Sequence, residues 1–179
     1  VTSVGTAGCS ISSDTLTTTG DVGSTCMVTA TKAQSTNYSS ASSAVKTITV
    51  IDRAITVTAT AVSKTYGESD PTFAYAITSG ALVSGDTLTG ALGRTSGESV
   101  GTYVINQGTL ANSNYAITFV SADLTIDARP LTIAATNRTK TFGDSDPSLA
   151  YTITSGSLVG SDALSGSVSR NSGENIGSY

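Results

Sequence analysis

The feature that most constrains this chain is that it repeats itself. Residues 53–103 align without a gap on residues 129–179, with Lys64 falling on Lys140 at an offset of 76, and 27 of the 51 aligned positions are identical. The identities come in runs: Lys-Thr-(Tyr/Phe)-Gly at 64–67 and 140–143, Ser-Asp-Pro at 69–71 and 145–147, and Gly-Glu at 97–98 and 173–174. A period of this length predicts tandem copies of one small domain, each able to bury only a modest core. The first copy runs on through 104–127, whereas the second reaches Tyr179 before any counterpart of 114–120 or 123–126. Residues 1–52 do not match the repeat as a whole, but Asn37-Tyr38 mirrors Asn114-Tyr115 and 47–52 mirrors 123–127, so this segment reads as a domain lacking its beginning.

Charged residues make up 12% of the 179 and hydrophobic residues 38%, with Thr, Ser, Ala, Gly and Val prominent among the rest. β-branched side chains suit a pleated surface and lose rotamer freedom in a helix, which predicts an all-β or mostly β chain. Alternation at period two marks strands through Ile55, Val57 and Ala59, through Phe73, Tyr75 and Ile77, through Tyr115, Ile117 and Phe119, and through Leu124 and Ile126, each set facing a core. Turns are expected at 79–80, 84–86, 96–98 and Gly108, and a short helical turn capped by Asp86 is allowed between Leu82 and Leu92. The junctions at 51–53 and 127–130 leave almost no linker, predicting a semi-rigid rod of β-sandwich-like or β-grasp-like domains, stiffened by Pro130.

The net charge of −4 and nine scattered basic residues argue against nucleic acid as a partner. The apolar runs are strand-length, too short for a helix that crosses a membrane, and the opening residues carry no signal-peptide pattern. Without histidine, and with two cysteines, the chain lacks the commonest general base and a four-thiolate metal site. No catalytic, cofactor-binding or metal-binding residue is assigned.

The stretches 64–71, 79–86, 88–94, 97–103 and 113–115 together resemble the MBG ("mostly β-grasp") domain of the YGX type. The resemblance covers 53–128 as a complete repeat and 129–179 as a second one lacking its closing strands, with Phe142 in place of Tyr66. Through Gly8-Cys-Ser, the stretch 23–32 and Asn37-Tyr38, residues 1–52 resemble the C-terminal part of a bacterial Ig-like domain. The resemblance implies a long secreted or surface-anchored bacterial protein of the adhesin type, in which such repeats form stalk, and it brings no catalytic residues.

Four candidate chemistries remain. Cys9 and Cys26 flank a segment that reads as a hairpin, so an exported chain is expected to join them by a disulfide, two reduced buried thiols being the other reading. Glu68, Asp70 and Asp86, with Asp144, Asp146 and Asp162, offer oxygens to calcium, against the plainer expectation that Asp70 and Asp146 initiate turns before Pro71 and Pro147. Lys64 beside Asn114, with Asp70 or Glu98, has the makings of an intramolecular crosslink, against the plainer expectation of a solvated lysine at a strand end. Tyr66, Tyr75, Tyr103, Tyr115, Tyr151 and Tyr179 offer a carbohydrate-stacking platform, but their alternation points to core packing with the hydroxyls reaching polar partners. The expected function is a stalk or spacer of an adhesin, its partners being neighbouring repeats. The alternative is a filament or sheath subunit whose open second repeat is completed by a strand from an identical subunit. A polysaccharide-binding module has no residue cluster behind it.

Overall fold

The computed structural model describes residues 2–13 and 15–179. Asp14, inside the expected N-terminal hairpin, lies outside the described residues. The fold is all-β, with no helix among the described residues. Contacts gather the chain into two compact units, one of Val1–Val62, Thr72–Thr95 and Tyr103–Leu124, the other of Ser63–Pro71, Ser96–Thr102 and Thr125–Tyr179. Residues 53–128 contribute to both.

The N-terminal segment holds β1 (Thr2–Gly5), β2 (Ser10–Ser12), β3 (Thr15–Thr17), β4 (Thr25–Thr29), β5 (Thr31–Lys32), β6 (Ala41–Ser42) and β7 (Lys46–Thr49). Strands β1, β4 and β7 form an antiparallel sheet with β4 in the centre, while β2–β3 and β5–β6 are separate two-stranded ribbons. Among the residues of this segment whose burial is described, Ala7 and Cys26 are the buried hydrophobic ones, and every residue of β7 is exposed. Cys26 is joined to Cys9 by a disulfide, with the Cα atoms 6.0 Å apart.

The first repeat contains β8 (Arg53–Ala59), β9 (Val62–Thr65), β10 (Tyr75–Ser79), β11 (Gly93–Arg94), β12 (Gly101–Asn106), β13 (Tyr115–Val120) and β14 (Ala122–Asp127). In β8 the alternation read from the sequence is realised, with Ile55, Val57 and Ala59 all buried. This strand is the middle of a mixed sheet, antiparallel to β10 and parallel to β13, the latter in unbroken register from Tyr115↔Arg53 to Val120↔Thr58. A second sheet has the order β11-β12-β14-β9. Ile105 on β12 and Leu124 and Ile126 on β14 are almost wholly buried.

Ile55, Val57, Leu110 and Tyr115 form a core, flanked by Ile77, Leu82, Leu88, Leu92, Ile117 and Phe119. Three of these leucines come from 82–92, where a helical turn was allowed; the segment is irregular instead. Gly85 and Gly90 take left-handed φ of 95° and 89°, which a helix does not allow, and the backbone is held instead by an isolated bridge with reciprocal Thr89–Ala111 hydrogen bonds of 2.9 and 2.8 Å. Two further expectations need correction. Phe73 precedes β10, and Tyr75 on β10 is 38% exposed, because a strand at the edge of the sheet buries its side chains less completely than the central β8.

The second repeat supplies β15 (Thr132–Ala135) and β16 (Tyr151–Ser155), which pair with each other antiparallel. β15 is the counterpart of β8, yet all its residues are exposed, Ile133 by 52% where Val57 is fully buried. The difference follows from pairing: β8 has neighbours on both edges, β15 on one.

Candidate functional site

The most concentrated chemistry lies on Lys64, near the end of β9. The side chain is 4% exposed, which overturns the expectation of a solvated lysine at a strand end. Its ammonium donates to Asp70 Oδ1 at 2.7 Å and to Glu98 Oε2 at 2.6 Å. A buried ammonium requires such compensation. Both carboxylates remain partly in water, with side-chain exposures of 35% and 66%, so they keep hydration while neutralising the buried charge. Asp70 and Glu98 together raise the Lys64 pKa, the Asp70 hydrogen bond first, and a lysine held so firmly protonated is a poor nucleophile. The partners of Lys64 Nζ are these two acids and not Asn114, which belongs to the other compact unit.

The arrangement recurs 76 positions later. Lys140 Nζ lies 2.8 Å from Asp146 Oδ1 and 2.5 Å from Glu174 Oε2. Arg170 completes the group: its Nε and Nη2 donate to the two oxygens of Asp146 at 2.7 and 2.9 Å, a bidentate fork, and Nη2 also reaches Glu174 Oε1 at 2.5 Å. Two cations face two carboxylates. Arg170, then Lys140, hold the Asp146 carboxyl down at about 2, and Lys140, then Arg170, lower that of Glu174. Each arginine also covers a tyrosine of its own repeat, Arg94 over Tyr103 at 5.4 Å and Arg170 over Tyr179 at 5.7 Å. The sequence reading gave the arginines no role, though Arg94 and Arg170 are identical at the repeat offset and that identity was the available signal.

The other candidates fall into place around this cluster. Glu68 accepts the Thr65 amide at 3.2 Å, Asp86 accepts the Tyr115 hydroxyl at 2.6 Å, and Asp70 and Asp146 serve the cations. These four of the acids considered for calcium are thus engaged separately, and among the described residues no three of His, Cys, Asp and Glu gather as a metal-binding group. Tyr115 behaves as expected of a core tyrosine, 6% exposed, its hydroxyl also accepting the Val83 amide at 2.8 Å; burial, then Asp86, raises its pKa. Tyr75 and Tyr151 do not share that role, both being exposed. The cluster presents no activated nucleophile paired with a base. What it can do is mechanical: it ties the turn at 66–71 to the turn at 96–100 through one shared ammonium.

A scan against protein-family models matches the MBG domain (YGX type) at residues 55–125 and again at 131–179. No curated protein and no solved structure matches the chain. The matching domain is a structural repeat, not known as an enzyme and typical of extracellular or surface proteins.

Proposed function

The chain belongs to the MBG domain family of the YGX type, and from that premise we propose that it is a non-enzymatic stalk or spacer segment of a repetitive bacterial cell-surface or secreted adhesin. In this reading 1–52 is the C-terminal part of an Ig-like domain, 53–128 one repeat, and 129–179 a second repeat without counterparts of β13 and β14. The observation that carries it is the recurrence of the cluster: Lys64, Asp70, Arg94, Glu98 and Tyr103 return as Lys140, Asp146, Arg170, Glu174 and Tyr179. A clamp internal to one domain is expected to be copied with that domain when the domain is repeated.

The test is to raise antibody against 53–127, label intact cells, and delete one repeat in the native gene. Surface labelling with shortened reach and unchanged ligand binding supports the spacer; a ligand-binding or catalytic activity lost with the repeat would overturn it. A second reading, completion by a strand from an identical subunit, is favoured by the single-edged pairing of β15 and the exposed Ile133. It predicts concentration-dependent fibres of the 179-residue chain.

A further inference from the structure

Tyr66 and Gly67 follow β9 in the first repeat, and the loop 158–162 belongs to the second; all lie in the same compact unit. Gly67 has φ +86°, and a Cβ built on it would come within 2.5 Å of Val159 Cγ2 and 3.0 Å of Cγ1. The residue is therefore glycine for two reasons, a left-handed backbone and a valine pressed against it. Tyr66 is held in place by its own amide, which donates to Asp127 O at 2.9 Å, and by Arg129 Nη1, which donates to its carbonyl at 3.3 Å. Its hydroxyl faces the Asp162 carboxylate, which raises the phenol pKa. The Asp162 amide donates to Val159 O at 3.0 Å, so valine and aspartate are presented together by one turn.

Two internal comparisons isolate this contact. At the equivalent pair in the second repeat, Phe142 is 68% exposed and a Cβ on Gly143 would meet nothing within 4 Å. The counterpart loop of the first repeat, through Val83 and Asp86, borders a recess with residues 18–22 and 50–52 of the segment before it. In both repeats, then, the Val-x-x-Asp turn faces backwards along the chain.

We propose that the Tyr-Gly pair is a receptor for the Val-x-x-Asp turn of the following repeat, a latch that fixes one repeat on the next. Glycine admits the valine, and the tyrosine hydroxyl reads the carboxylate. The partner is thus a second domain of the same family carrying Val and Asp three positions apart. Phe142-Gly143 keeps the space for the valine and lacks the hydroxyl.

The inference rests on the spacer reading and can fail without it. In the 179-residue chain, NMR should show nuclear Overhauser contacts from the Val159 methyls to the Gly67 α-protons, and a Tyr66 phenol titrating above its ordinary value. Asp162→Asn should return that titration to normal, and Val159→Ser with Asp162→Asn should speed amide exchange at 66–68 by about tenfold while Val57 on β8 is unaffected. Tyr66→Phe, a variant mild enough to fold, should give a smaller acceleration, about threefold. Missing Val159–Gly67 contacts, or unchanged exchange at 66–68 in the double variant, would overturn the latch and leave the spacer standing.

Discussion

Removing the Cys9–Cys26 disulfide should unfold the N-terminal sheet while sparing the first repeat. The bridge closes a loop of 17 residues, and the loop-closure entropy restored to the unfolded chain is worth about 3 kcal/mol. Among the residues whose burial is described, Ala7 and Cys26 are the buried apolar ones of this segment and β7 is exposed throughout, so the bridge is a large share of what the side chains contribute there. The double variant Cys9→Ala, Cys26→Ala is the better perturbation, because alanine leaves no hydroxyl to bury at the fully enclosed Cys26. A loss of about 3 kcal/mol corresponds to an acceleration of about 150-fold in amide exchange. Exchange followed residue by residue should show that change at Met27 and Val28 on β4, which pair with β1 and β7, and none at Val57. Acceleration below about tenfold at β4 would refute the argument, since the sheet would then be holding itself by contacts other than the bridge.

Val57→Ala should destabilise the first repeat by about 2 kcal/mol while its counterpart Ile133→Ala stays within about 0.5 kcal/mol, as denaturant unfolding would show. The second cluster should weaken in acid: Asp146 has its pKa lowered from 3.8 to about 2, so its contribution is whole above 3.8 and disappears as pH falls towards 2, and an Asp146 titrating near 3.8 by NMR would contradict the ion pairs. Lys140 is shifted upwards, so its share is whole below 10.5 and is lost only as pH climbs past its raised value. Lys64→Met should destabilise the turn at 66–71 by removing the ammonium that bridges Asp70 and Glu98, and adding Asp70→Asn should restore part of the loss in thermal unfolding. Intact mass should fall short of the sequence mass by two hydrogens for the disulfide and by no water, since a missing water would reveal an amide between Lys64 and Asp70.

What the sequence made legible was whatever depends on near neighbours. Ile55, Val57 and Ala59 alternate, and their strand buries one face; Leu124 and Ile126 do the same. The partnership of β8 with β13 was hidden, because a parallel pairing joins residues some sixty positions apart and leaves no local mark. The burial of Lys64 was hidden for a related reason: Asp70 is close in sequence, but Glu98 arrives from 34 residues away. The leucines of 82–92 show apolarity without periodicity, so they announced a core and not the irregular path by which they reach it.

The register between β8 and β13 bears on how a repeat answers tension. The strands run the same way, so Arg53, where the chain enters β8, and Val120, where it leaves β13, lie at opposite ends of the ribbon they form. A pull that separates those two residues slides one strand along the other and loads the rungs between them together. An antiparallel hairpin pulled at its open end parts one rung at a time. Strained along this direction, the repeat resists as a lap joint and not as a zip, and its lifetime under load is set by the rate at which the whole ribbon shears.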